Sequence, residues 1–156
     1  MRSKKNSNQK KEIFHLSPEG YQLLLSLEQP RMIPRPDGTG KYVVGLKHYA
    51  DDIDPTHRYS QEDIDRFFET DKIPYEDDVN EIFDPVFMTQ QMFDAMFCFA
   101  FSVGKISTTD LGQMIRKNPY DDRIRDFWRY TYTKANKNRI LSDRRQREVK
   151  YYFGDE

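Results

Sequence analysis

The chain of 156 residues has one cysteine, Cys98, so no intrachain disulfide can form and nothing ties it to an oxidising compartment. It lacks any apolar run of the roughly 18 residues that a bilayer crossing needs, which excludes a membrane-spanning helix. The first eleven residues are basic with no hydrophobic segment behind them, so no Sec-type signal is read there. The expectation is synthesis without a Sec signal in a reducing cytosol. Histidine is also scarce: His15, His48 and His57 are irregularly spaced and there is no His-Glu-x-x-His or paired-cysteine pattern. No metal site and no cofactor are expected. Against these absences stand 11 Phe, 10 Tyr and 1 Trp, enough bulky surface for a packed core, which excludes a chain disordered throughout.

Charge is unevenly placed. Arg2, Lys4, Lys5, Lys10 and Lys11 face only Glu12 in the first fourteen residues. Setting those aside leaves 20 bases against 25 acids, a body of about −5. That balance argues against nucleic-acid binding, which needs a basic face to neutralise phosphates. Residues 1–15 read as a basic, solvated tail and residues 16–156 as one domain.

Order is expected to begin near Leu16. Ser17-Pro18-Glu19 supplies an N-cap, a proline at the first helical position and an acid in the first turn, and Pro30 stops the run. Glu28 therefore ends a helix, where the partial negative charge of the helix dipole disfavours an ionised carboxyl. Met32-Ile33 and Tyr42-Val43-Val44, separated by Asp37-Gly38-Thr39-Gly40, predict two strands joined by a glycine turn. Pro34 and Pro36 confine the first strand to an edge. A third strand is expected near Thr56 to Tyr59.

The remainder reads as helix. Ser60 opens one, Pro74 interrupts it, and Thr89 caps the next. Gln90 to Val103 is apolar on nearly every side, the mark of a central buried helix, and ends at Gly104. Further helices are expected at about Thr109 to Lys117, Asp121 to Tyr132 and Ser142 to Tyr152, with a polar loop around Lys134 to Asn138. The fold class is α+β, a small sheet lobe followed by a helical lobe. Cys98 reads as a packed thiol.

Two carboxylates in unlike settings, Glu28 at a helix end and Asp37 at a turn, are the pair that glycosidic hydrolysis uses: an acid for the leaving oxygen and a base for water. Among 26 acids that pairing alone has little specificity, but the ordered set around it has more. Glu28, Asp37, Gly40, Tyr42, Val44, Gly45 and His48 resemble the signature of the phage-type lysozymes, glycoside hydrolase family 24, with the T-even phage spacing from Glu28 to His48. Tyr59-Ser60-Gln61-Glu62 is similar to that family's Ile-Thr-x-x-Glu helix start. Thr89 to Ala95 with Phe99 to Gly104 is similar to its central helix, Ser107 to Leu111 to its Ser-Thr-Leu turn, and Asp143 to Glu148 to its Arg-Arg-x-x-Glu helix. The resemblance covers about Leu16 to Phe153.

The resemblance implies a lysozyme-like fold and a muramidase that cuts the β-1,4 bond between N-acetylmuramic acid and N-acetylglucosamine in peptidoglycan, as an endolysin or an antibacterial effector. It makes Glu28 the general acid and Asp37 the residue that positions or activates water, with Tyr42, Val43, Ser102 and Arg145 in substrate-binding positions and His48 as hydrogen-bonded structure. Action would be at the bacterial cell wall after release or secretion, by a monomer, with an inhibitor or immunity protein as a conceivable partner. Three departures open an alternative: a catalytically impaired domain that binds peptidoglycan or a protein. Val43 stands where the family has a water-holding Thr, Lys47 replaces a glycine, and the first strand carries three prolines. Arg144 and Arg145 are open to two readings, contact with stem-peptide carboxylates or ion pairing with Asp143, Glu148 or a preceding helix.

Overall fold

The computed structural model describes residues 12–132 and 139–155. Residues 1–11 of the basic tail and the polar loop around Lys134 to Asn138 lie outside the described residues.

Helix α1 (Pro18–Glu28) starts where expected: the Ser17 hydroxyl accepts from the Gly20 N–H at 3.0 Å, and Pro18 occupies the first turn. It stops because Gln29 turns left-handed at φ 54° while its N–H still reaches the Leu25 carbonyl. An antiparallel sheet follows in the order β1 (Arg31–Pro36), β2 (Tyr42–Gly45), β3 (His48–Tyr49). The two prolines of β1 are tolerated because it is an edge strand. Gly38 and Gly40, at φ 89° and 94°, make the turn between β1 and β2.

The third strand is not at Thr56 to Tyr59. A tight connection through Leu46-Lys47 folds His48–Tyr49 directly back onto β2 and takes that edge. Residues 54–57 form a turn in which Asp54 accepts from the Thr56 N–H and hydroxyl, and Tyr59 contributes one hydrogen bond to the Met32 carbonyl.

Helix α2 (Gln61–Asp71) opens with a reciprocal capping box between Ser60 and Asp63, and α3 (Ile73–Asn80) begins after a break at Lys72 with Pro74 in its first turn. Helix α4 (Gln90–Val103) is capped by Thr89, and every residue from Met92 to Phe101 is buried. Around it pack a 3-10 turn (Ile106–Thr108), α5 (Asp110–Lys117), α6 (Ile124–Thr131) and α7 (Arg139–Phe153). Helix α6 starts later than its sequence pattern predicts, because Asp121 and Asp122 hold residues 121–125 in turns, and α7 starts earlier. Cys98 is fully buried in α4, as read from its apolar surroundings, and burial pushes its thiol well above the usual range.

Order begins earlier than Leu16. Phe14, assigned to the tail, sets its ring 4.6 Å from that of Phe83 and exchanges hydrogen bonds with the Asn80 side chain at 3.1 and 3.0 Å. His15 and the Leu16 N–H meet the buried carboxylate of Glu76. Burial of the ring, worth up to about 3 kcal/mol, together with the two hydrogen bonds to Asn80 offsets the roughly 2 to 4 kcal/mol that ordering two residues costs.

Candidate active site

Glu28 ends α1 with its side chain only 16% exposed, beside a depression of about 260 Å³ between the sheet and the helical body. Gln29, Arg31, Arg35, Val43, Gly45, Leu46, Lys47 and Tyr49 form its other walls. The helix stop at Gln29 turns the chain into β1, and β1 pairs Arg31 with Gly45 and Arg35 with Val43. Cross-strand partners share a face, so this register brings four residues from two strands to the side where Glu28 lies. A side chain at Gly45 would be strained: the residue sits at φ 65°, and a Cβ would come 2.8 Å from the Ile64 side chain.

Beneath Glu28 lies a buried charge network that sequence reasoning resolved only as one of two alternatives. The Arg144 guanidinium bonds Glu28 Oε2, donates to Glu148 Oε2 at 2.9 Å and donates to the Cys98 carbonyl at 2.7 Å. Glu148 also accepts from Trp128 Nε1 at 3.0 Å and from Arg145 at 2.6 Å, and Arg145 donates onward to the Ser102 hydroxyl at 2.6 Å. Two arginines thus meet two glutamates, and the buried charges balance. Burial pulls the Arg144 guanidinium down, but Glu148 and Glu28 together outweigh it and the net shift is upward. For Arg145 burial prevails over Glu148 and the shift is downward.

Arg145 is therefore committed to the interior, 1% exposed, rather than standing free in a cleft as a substrate-binding position would suggest. With Ser102 it borders a separate depression shared with Val103, Thr131, Tyr132 and Leu141. Ion pairing is the reading of the Arg144–Arg145 pair that the geometry supports.

Asp37 lies just past β1, half-buried, outside the walls of the Glu28 depression. Its Oδ1 accepts from the Thr39 hydroxyl at 2.7 Å and the Thr39 N–H at 2.8 Å, with Lys41 N–H more distant at 3.4 Å. These bonds from Thr39 hold its carboxyl below the usual range, so it is a carboxylate at neutral pH. Tyr42, opposite Pro36, is half-buried and also outside those walls, whereas Val43 lines them.

Lys47 occupies a left-handed backbone conformation, φ 61°, in which a glycine is at ease and a lysine is strained. Its ammonium donates to the Phe101 carbonyl in the last turn of α4 and lies 4.5 Å from the centre of the Phe101 ring. It bridges the sheet lobe to the central helix. Burial pulls its ammonium below the usual lysine range, opposed by the nearby Glu28. His48 is structural, as expected: Nδ1 lies 2.8 Å from Asp71 and the ring stacks on Phe67 at 4.0 Å. No group of three or more metal-ligating side chains converges among the described residues.

Sequence reasoning passed over Arg31, Arg35 and Tyr49. The only signal for the two arginines was register: each faces a residue of the hairpin strand already singled out.

The family model described as phage lysozyme matches residues 26–148. Among curated proteins the chain is similar to the endolysin of Bacillus phage B103, 26% identical over 109 residues, which are 69% of this chain and 41% of that relative. The chain therefore spans less than half of that relative's length. Among solved structures, the muramidase domain of SpmX from Asticaccaulis excentricus has a TM-score of 0.75 at 21% identity, covering 88% of this chain and 97% of that one. A variant of P22 lysozyme has a TM-score of 0.75 at 22% identity, covering 90% of this chain and 99% of that one. At these identities the likeness to the solved structures is one of fold, and the fold is lysozyme-like.

Proposed function

The chain belongs to the phage lysozyme family, and on that premise we propose that it is a muramidase that hydrolyses the β-1,4 bond between N-acetylmuramic acid and N-acetylglucosamine. The observation that carries this reading is Glu28, a carboxyl brought by the end of a helix to the wall of a depression and fixed there by an arginine. Arg144 engages Oε2. Among the described residues no hydrogen bond occupies Oε1, which is the oxygen suited to deliver a proton to the glycosidic leaving group. Asp37, ionised at neutral pH by its bonds to Thr39, is suited to the opposite task of orienting or deprotonating water. An inverting pair requires the two carboxyl groups to stand roughly 6.5 to 9.5 Å apart, with the water between them. The protein works as a monomer on the cell wall, released or secreted from the cytoplasm where it is made, and an inhibitor or immunity protein is a partner compatible with this reading.

A second reading, a peptidoglycan-binding domain that no longer cuts, draws on Val43 and Lys47. Val43 lines the depression beside Glu28 with methyls that cannot hold a water, and Lys47 places a strained cation in the same wall. One experiment separates the two. Purified peptidoglycan is incubated with the protein, and mass spectrometry looks for new N-acetylmuramic acid reducing ends. They are expected with the wild type and absent with Glu28→Gln, whose amide cannot act as a general acid. Glycan strands bound but left uncut by the wild type would establish the second reading.

A further inference from the structure

We propose that Arg31, Arg35 and Lys47 form an anion subsite on the Glu28 depression, taking a carboxylate carried by the glycan strand close to the scissile bond. The inference rests on the muramidase reading and names what that site selects. Three cations and one carboxylate line the depression, in a body whose net charge, these four included, is about −5. The carboxylate does not cancel them, because Glu28 is already matched by Arg144. Lys47 is held by a carbonyl rather than an acid.

Arg31 and Arg35 are exposed, and among the described residues neither has an ion-pair partner, a state they share with Arg58, Arg116 and Arg147; unlike those three, both line the Glu28 depression. Asp37 hydrogen-bonds within its own turn and Asp71 lies against His48, and neither forms an ion pair with Arg31 or Arg35. The β1–β2 register sets the backbone of each arginine opposite a lining residue, Arg31 opposite Gly45 and Arg35 opposite Val43, with an irregularity between the two pairs. Planar guanidinium groups recognise carboxylates through paired N–H donors, and a neutral sugar has no use for three uncompensated cations.

Two sources carry such a group: the lactyl ether of muramic acid, free once the stem peptide is removed, and the stem peptide itself. The test uses the full chain carrying Glu28→Gln, so that binding is read without cleavage. Calorimetry compares three muramic-acid tetrasaccharides: with free lactyl carboxylates, with those converted to methylamides, and with stem peptides attached. The free acid is expected to bind about tenfold tighter than the amide at low salt, with the ratio falling as salt screens it. Adding Arg31→Gln and Arg35→Gln is expected to bring the ratio close to one. A stem-bearing probe that binds as the free acid does identifies the peptide as the natural source, and one that binds as the amide does identifies the lactyl group. A ratio of one in the parent, or a ratio that survives the double substitution, overturns the subsite. If the double variant fails to fold, the salt dependence of the parent's ratio decides. Failure of the wild type to cut peptidoglycan would overturn the muramidase reading while leaving this ratio intact.

Discussion

Arg144 and Glu28, 116 positions apart in the chain, are joined as an ion pair at the edge of the candidate cleft, and the same guanidinium continues inward to Glu148. The carboxyl assigned to proton donation is thereby anchored to α7 as well as to its own helix.

Removing that guanidinium should therefore be costly. Arg144→Met leaves the fully buried Glu148 short of one charge partner, and breaking a buried pair from one side costs roughly 3 to 5 kcal/mol. Urea unfolding at neutral pH should show a loss of that order, while Glu28→Gln, at the exposed end of the network, should lose far less. A loss under about 1 kcal/mol for Arg144→Met would mean that Arg145 alone satisfies Glu148.

Val43 tests how the attacking water is held. It stands in the wall beside Glu28 and offers only methyls. Val43→Thr adds a hydroxyl, and one hydrogen bond better realised in the transition state is worth about 1.4 kcal/mol, or about tenfold in turnover. Steady-state release of soluble fragments from purified walls checks this; a rate that does not rise in a variant with unchanged stability rules out a missing water ligand.

For Lys47 the informative comparison is between two substitutions. Both Lys47→Met and Lys47→Gly lose the bond to the Phe101 carbonyl, but only glycine also releases the left-handed strain at φ 61°. Lys47→Gly should therefore be the more stable of the two by about 1 kcal/mol. Equal denaturation midpoints would show that the backbone at this turn carries no strain.

Asp37 supplies the pH prediction. Its folded-state value is lowered from 3.8, chiefly by the Thr39 hydroxyl and N–H. A lowered value contributes stability that is present above 3.8 and lost as pH falls through the folded value. Thr39→Val removes the hydroxyl, so the folded value should move up toward 3.8 and the acid limb of the activity profile should move with it. A carboxyl-carbon NMR titration of Asp37 is the direct check. An unchanged titration would show that the Thr39 N–H alone holds the carboxylate.

Much of the architecture was legible because it is local. Ser17, Ser60 and Thr89 cap helices through bonds that span three residues, Pro74 cannot continue the helix before it and so sits in the first turn of the next, and the mostly apolar stretch from Met92 to Phe101 has to be interior. The two strands and glycine turn of the hairpin were equally readable. The third strand was not, since whether Thr56 to Tyr59 or His48–Tyr49 takes the open edge of β2 depends on the turn at Lys47, where a non-glycine residue adopts a glycine conformation. Phe14 escaped for a similar reason: nothing near it in sequence announces the socket formed by Phe83 and Phe93.

The sequence by itself determined the α+β class, the position of Glu28 at a helix end and of Asp37 at a turn, and the burial of Cys98, because capping, chain reversal and hydrophobic periodicity act over a few residues. Only the tertiary structure decided which of two adjacent arginines reaches Glu28, that Arg145 turns inward to Ser102, and that Arg31 and Arg35 share a wall with the acid. Those choices are made by strand register and by the docking of α7 on α4, which bring together residues with no local influence on one another; charge pairing across such distances becomes definite only when packing has excluded water and fixed each partner's reach.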